Sequence, residues 1–248
     1  MNNSTPTLSA QVLDQLAGFD TATICNAIEL FEIRPASDGF TDGLIRCCFP
    51  ELPAIVGYAA TATYPASEAP PTATSSRTVG DLIESFGNLP GRAVVVFQDL
   101  DDPPAAAGFG EVSCTAYQAF GAQGLITSGA GRDLDQVREL NFPVFSSSTI
   151  CAHGYSWLPS IGDAVEVGGI TIAPGDLIHA DANGITTIPF SLAGQIADVA
   201  TKLADSERVL LDYLENTESP TVRGFRDANA EMSSIVADIR SQIGLVTS

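Results

Sequence analysis

A chain of 248 residues with 45% hydrophobic content is long enough to bury one substantial core, and its 30 acidic against 11 basic side chains give a net charge of −19. That balance excludes a nucleic-acid partner, because phosphate contacts need clustered Lys and Arg, and no run approaches the ~18 uninterrupted apolar residues of a membrane span. The start, MNNSTPTLSA, has neither the basic residues nor the apolar run of a secretory leader, so a soluble, cytoplasmic protein is expected, its acidic surface serving solubility or else a basic partner protein.

Leu8, Val12, Leu13 and Leu16 recur at helical spacing and stop at Gly18; Thr21 or Thr23 caps a second helix that should end at Arg34-Pro35. Ala36 to Pro53 is a Gly-, Pro- and Asp-rich loop, and AIVGYAATATY is a strand. The polar stretch from Ala66 to Arg77 is a loop suited to cover a site. Val79, Leu82, Ile83 and Phe86 form a short helical stripe. AVVVF then reads as a strand buried on both faces and ends in the acidic turn QDLDDPP. A helix from Gly110 to Phe120, a strand GLITS, a turn GAGR, a helix DLDQVREL and a strand FPVFS follow, the alternation of a parallel α/β sheet. After a loop with His153, Tyr155 and Trp157, AVEVGGITI and LIHADANGITTIP predict two hairpins of an antiparallel or mixed β layer. Leu192, Ile196, Val199, Leu203, Leu210 and Leu214 mark a long helix, and a last helix follows Pro220. One domain is expected over 1–248, with a core at about 21–189 and a helical extension over 190–248.

What the chain lacks narrows its chemistry. Its single lysine, Lys202, sits about a quarter turn off the apolar stripe of the long helix, so a Schiff-base amine is disfavoured. Two histidines, His153 and His179, are too few for a His-rich zinc site. Cys25, Cys47, Cys48, Cys114 and Cys151 are an odd set without a C-x-x-C pair, read as reduced and mostly buried thiols. Cys151 and His153 are close in sequence but have no third group to make a nucleophile site. Carboxylates are what remain for a metal.

The stretch Gly110 to Asp133 places two loops at strand C-terminal ends, where α/β ligands collect. The free amides of Val112 and Ser113 at a helix start could hold a carboxylate, with Gly110 permitting close approach and Arg132 clamping the same group. Asp133 would stand beside it for a divalent cation. From spacing alone, Glu111 and Asp133 read more simply as acids complementing helix dipoles, Asp133 capping the DLDQVREL helix. Glu207, between Leu203 and Leu210, falls on the apolar stripe and calls for a basic partner or a site shared with a neighbouring chain.

The stretches GFGEVSCTAYQAFGAQGLITSGAGRDLDQVRELNFPVF and VEVGGITIAPGDLIHADANGITTIP resemble the RraA-like family, which contains the regulator of ribonuclease activity A and the class II 4-hydroxy-4-methyl-2-oxoglutarate aldolases. The likeness runs from about Thr21 to Pro189. It implies a three-layer β/β/α sandwich resembling the swivelling phosphohistidine-domain fold, with C-terminal helices, in a homotrimer or a dimer of trimers whose sites lie between subunits. It further implies that Asp133 coordinates Mg²⁺ or Mn²⁺, that Glu111 holds metal-bound water, and that Arg132 with the Val112 and Ser113 amides binds the substrate carboxylate. Glu207 resembles the acid supplied by the neighbouring subunit. Asn26, Asn183 and Ser128 replace acids common among relatives, which should thin the network of charges behind a metal.

The activity implied is a metal-dependent lyase on 2-oxo acids, either a retro-aldol cleavage or an oxaloacetate decarboxylation through a pyruvate enolate. A metal-held water near Glu111 would be the base. The alternative, from the other branch of the family, is a non-enzymatic acidic regulator that binds a basic partner protein. A quinone-precursor methyltransferase is disfavoured by the lack of a glycine-rich cofactor loop.

Overall fold

The structure, a computed structural model, describes residues 7–71 and 77–246, so the middle of the expected covering loop, residues 72–76, lies outside the described residues. α1 (Ala10–Ala17) is capped by the Ser9 hydroxyl and α2 (Thr21–Glu29) by Asp20, whose carboxylate accepts from the Thr23 amide at 2.6 Å. The cap is therefore the acid before Thr21, not Thr21 or Thr23. An ionised acceptor holds an amide more strongly than a hydroxyl does, and Thr21 is left to turn into the core. The helix also stops at Glu29, well before Arg34-Pro35.

The chain continues through β1 (Arg46–Cys47), β2 (Ile55–Tyr64), α3 (Val79–Ser85), β3 (Ala93–Asp99), β4 (Ala107–Phe109), α4 (Glu111–Ala119) and β5 (Leu125–Thr127). β6 (Ala130–Gly131), α5 (Leu134–Glu139), β7 (Val144–Ser146), β8 (Ser148–Thr149) and β9 (Ser160–Ile161) follow. β10 (Val165–Val167), β11 (Ile170–Ile172), β12 (Leu177–Asp181) and β13 (Gly184–Ile188) complete the strands, and α6 (Ala193–Asn216) and α7 (Val222–Val246) close the chain.

The main sheet runs β1-β7-β5-β3-β2-β12-β13, with β9 added to the far end of β2. β2, β3, β5 and β7 are mutually parallel, as the strand-helix alternation predicts, while β12 and β13 return antiparallel. Alternation of side chains along β2 sorts the core. Val56, Tyr58, Ala60, Ala62 and Tyr64 face the helices: α1, α2 and α6 around Val56 and Tyr58, and α3, α4 and α5 around Ala60 and Ala62. Ala59, with Val94, Val96 and Ile126, faces the other way onto Val165, Val167 and Ile172 of the β10–β11 hairpin. Hairpin, sheet and helices make the three β/β/α layers. The hairpin turns through Gly168 and Gly169, both at positive φ, as the Gly-Gly pair requires.

α6 is buried on one face from Ala193 to Ser206, and Ile239 of α7 packs into the same cluster. Glu207 is exposed. The stripe reading that made it a buried acid is corrected: the inner face advances through Ile196, Val199, Ala200, Leu203 and Ser206, and beyond Ser206 no α6 residue is fully buried. No described helix is long and apolar enough to cross a membrane.

His179 on β12 joins the first two helices to the sheet. Its Nε2 lies 3.1 Å from the Leu16 carbonyl, which can only accept, so Nε2 carries the proton and Nδ1 accepts from the Thr21 hydroxyl at 2.9 Å. Burial pushes the ring's pKa below its ordinary 6.5, so the folded chain binds fewer protons than the unfolded one there. This contribution is complete above pH ~6.5 and is lost progressively as pH falls toward the depressed folded-state value. Denaturant titrations from pH 8 to pH 5 should show a falling midpoint, with a shallower fall in His179→Gln.

Candidate active site

A small parallel sheet, β4-β6-β8, holds the site beside the main one. Ala107 pairs with Ala130 and Phe109 with Gly131, and these in turn pair with Ser148 and Thr149. Ala130 and Gly131 of the G-A-G segment are thus strand and not the turn their composition predicts, with Gly129 immediately before them. Neither Gly129 nor Gly131 has positive φ. Their lack of a side chain is a packing requirement: a Cβ on Gly129 would fall 2.0 Å from the Tyr64 hydroxyl, and one on Gly131 2.0 Å from the Phe109 ring. The Arg132 amide donates to the Phe109 carbonyl at 3.1 Å, so the arginine leaves the strand at a fixed place.

Asp133 occupies the N-cap position of α5 in the left-handed region, φ +55°, and makes no side-chain bond to its own helix. Its Oδ2 instead accepts from the Glu111 amide, the first of α4, at 3.1 Å, and sits 3.6 Å from Arg132 Nε. Capping of α5 by Asp133 is therefore corrected: the carboxylate caps the other helix of the site. A Cβ on Gly110 would approach this same oxygen to 2.5 Å, which explains the glycine there without any demand on φ. Ser113 completes the helix start, its Oγ accepting from the Gly110 amide at 3.1 Å.

Gly110, Val112, Ser113, Arg132 and Asp133 come together in a cleft of about 360 Å³, joined by Val79, Phe109, Ala116, His153 and Ser156. With the Glu111 amide taken by Asp133, those of Val112 and Ser113 remain at the α4 N-terminus for an anion. The Glu111 side chain is exposed at the same helix start. Among the described residues no group of three His, Cys, Asp or Glu gathers as a metal cage. Asp133 is the one carboxylate among the described residues that line the cleft; Glu111 reaches the site through its backbone amide, and its side chain is not part of the lining. That one carboxylate suits a hard cation that completes its shell with water and ligand oxygens, as Mg²⁺ does, and does not suit a closed zinc site.

Other expected residues fall elsewhere. Glu207, Asn26 and Asn183 do not line the cleft; Asn183 turns its amides onto Asp181, and Ser128 accepts from the Asp99 amide at 2.9 Å. His153 does line it, with Nδ1 on the Gly154 carbonyl and no hydrogen bond to Cys151; Trp157 donates to the Glu68 carbonyl. Of the cysteines only Cys114 is buried, its thiol pushed up to about 12 by that burial, while Cys151 is exposed. The cleft wall from Val79 and Ala116 was not anticipated, although Ala116 lies one helical turn after Val112 and so shares its face. Gly110→Ala should cost about 1–3 kcal/mol in denaturant unfolding through overpacking against Asp133, whereas Gly121→Ser, beside open space but at positive φ, tests strain without that clash.

The sequence matches the model of the RraA-like family, described as Aldolase/RraA, over residues 21–187. A protein of Halalkalibacterium halodurans named "Putative 4-hydroxy-4-methyl-2-oxoglutarate aldolase" is 30% identical over 144 residues, covering 53% of this chain and 68% of that relative. Among solved structures, an uncharacterised protein from Pseudomonas syringae pv. tomato superposes with a TM-score of 0.71 at 23% identity, covering 91% of this chain and 95% of the other. RraAS2 of Streptomyces coelicolor, described as an unusual member of the RNase ES inhibitor RraA protein family, gives 0.65 at 24% identity, covering 82% and 96%. At these identities the superpositions speak for the fold.

Proposed function

Because the chain belongs to the RraA-like family, we propose that it is a divalent-metal-dependent lyase of 2-oxo acids that releases pyruvate from a 4-hydroxy-2-oxo acid, from oxaloacetate, or from both. One observation carries the reading: a guanidinium, a carboxylate and two free helix amides, from Arg132, Asp133, Val112 and Ser113, open on one cleft. Arg132 and the two amides hold the substrate carboxylate, the arginine by charge-assisted hydrogen bonds and the helix start by its unpaired N–H groups. Asp133 and Glu111 hold Mg²⁺ or Mn²⁺. When bound, the cation supplies an electron sink at the 2-oxo group, the part a Schiff-base lysine plays elsewhere.

Lys202 is not available for that part. It is exposed on α6, and its ammonium donates to Gln242 of α7 at 3.1 Å. The assembly that goes with this reading is a homotrimer or a dimer of trimers, with Glu207 on the exposed part of α6 reaching a neighbour's cleft. The net charge of −19 favours a second use of the surface, capture of a basic protein without catalysis.

Pyruvate release from oxaloacetate and from 4-hydroxy-4-methyl-2-oxoglutarate tests the first reading. With Mg²⁺ at least one substrate should turn over, chelator should stop it, and Asp133→Ala should lower kcat/KM by about 10²-fold or more. Arg132→Lys should raise KM by about tenfold, since a point charge cannot reproduce the two parallel bonds. Turnover that ignores both chelator and Asp133→Ala sinks the lyase, and salt-sensitive capture of basic proteins without turnover transfers the reading to the regulator.

A further inference from the structure

Among the described residues that line the cleft, one titratable side chain is employed by neither the carboxylate cradle nor the metal pair. His153 lines it together with Val112, Arg132 and Asp133. The backbone that carries His153 is fastened on both sides. Ala107 of β4 donates its amide to the Ala152 carbonyl at 2.7 Å, and the Tyr155 amide donates to the Ala66 carbonyl at 3.0 Å. Between these anchors Gly154 sits at φ +53°, and a Cβ there would fall 2.2 Å from the Ala66 carbonyl oxygen, so the turn admits only glycine. The Ala66 amide is itself bonded to the Asp101 carboxylate at 2.7 Å. An exposed imidazole thus stands on a fixed piece of main chain.

Its orientation selects one tautomer. Nδ1 lies 2.8 Å from the Gly154 carbonyl oxygen, which can only accept, so the neutral ring carries its proton on Nδ1 and leaves the lone pair on Nε2. Nε2 makes no hydrogen bond to any described residue. The contrast with His179 is direct, because that ring spends both nitrogens in the core.

On the basis of the lyase reading above, we infer that His153 Nε2 is the general base of the retro-aldol cleavage. Nε2 removes the proton of the 4-hydroxyl, and C4–O becomes a carbonyl as the C3–C4 bond breaks. The bonding pair passes to C2–C3 and the 2-oxo oxygen, giving the enolate of pyruvate. The imidazolium then returns its proton to C3, so pyruvate and a second carbonyl compound leave and the ring is restored, with no net oxidation or reduction. A residue of the chain thereby takes the place of the water near Glu111 expected as base. Decarboxylation of oxaloacetate has no hydroxyl proton to remove, so its bond-breaking step does not call on Nε2.

That difference provides the test. In His153→Gln the ratio of retro-aldol to decarboxylation kcat/KM should fall by at least tenfold, within the roughly 10²–10⁴-fold span of general-base effects. Asp133→Ala should instead depress both reactions. The chain has only two histidines, so the imidazole C2–H signal of exposed His153 can be followed by NMR against buried His179 as Mg²⁺ and pyruvate are added. It should shift in the wild type and stay in place in Asp133→Ala. A ratio that changes less than tenfold, or an unmoved His153 signal, overturns the assignment while pyruvate release by the wild type leaves the lyase standing. No release from either substrate removes the lyase and this inference with it.

Discussion

The site depends on one hydrogen bond, from the Glu111 amide to Asp133 Oδ2. It joins the start of α4 to the start of α5, two helices that leave different strands, and fixes where the remaining α4 amides open. The bond has a conformational cost. Asp133 sits in the left-handed region, roughly 1–2 kcal/mol unfavourable for most L-residues and less for Asp. That conformation takes the carboxylate off its own helix and across to its neighbour. Gly110 has no Cβ because that space belongs to the same oxygen.

Electrostatics give the pair a second meaning. A protein of net charge −19 repels small dianions at long range, so an anion site on it needs a concentrated local positive field. Arg132 alone provides little, since Asp133 lies 3.6 Å from its Nε and offsets its charge. The unpaired amides at the α4 N-terminus add a partial positive charge. A divalent cation on the carboxylates would reverse the sign of the whole group. Away from the cleft the acidic turn after β3 is spent on structure: burial raises the Asp101 carboxyl, but bonds from the Ser67 hydroxyl and the Ala66 and Ser67 amides outweigh it and hold it below the usual range.

Much of this was legible in the sequence, for identifiable reasons. AVVVF and AIVGYAATATY are buried on both faces, so their apolar runs were plain, and Gly168-Gly169 could only be a tight turn. Gly110, Val112, Ser113, Arg132 and Asp133 could be grouped from the sequence because helix starts after parallel strands collect ligands whatever the family. β4 and β6 were missed because two- and three-residue strands carry no period and Gly129-Ala130-Gly131 has the composition of a turn. Glu207 was misplaced because a stripe read by spacing assumes a body to pack against, and α6 has lost its burial there. Asp133 was read as a local cap because spacing cannot register a bond between residues 22 positions apart.

The β4-β6-β8 ladder divides labour within the cleft. The register that delivers Arg132 is written in main-chain pairing and in two glycines that cannot be replaced, so that wall is closed to variation. The wall carrying His153 and Ser156 touches the ladder through main-chain bonds, and its side chains are free of it. A lineage could therefore exchange side chains on the second wall while keeping the Arg132 wall untouched. Constancy on one wall beside freedom on the other is built into the way these three short strands are paired.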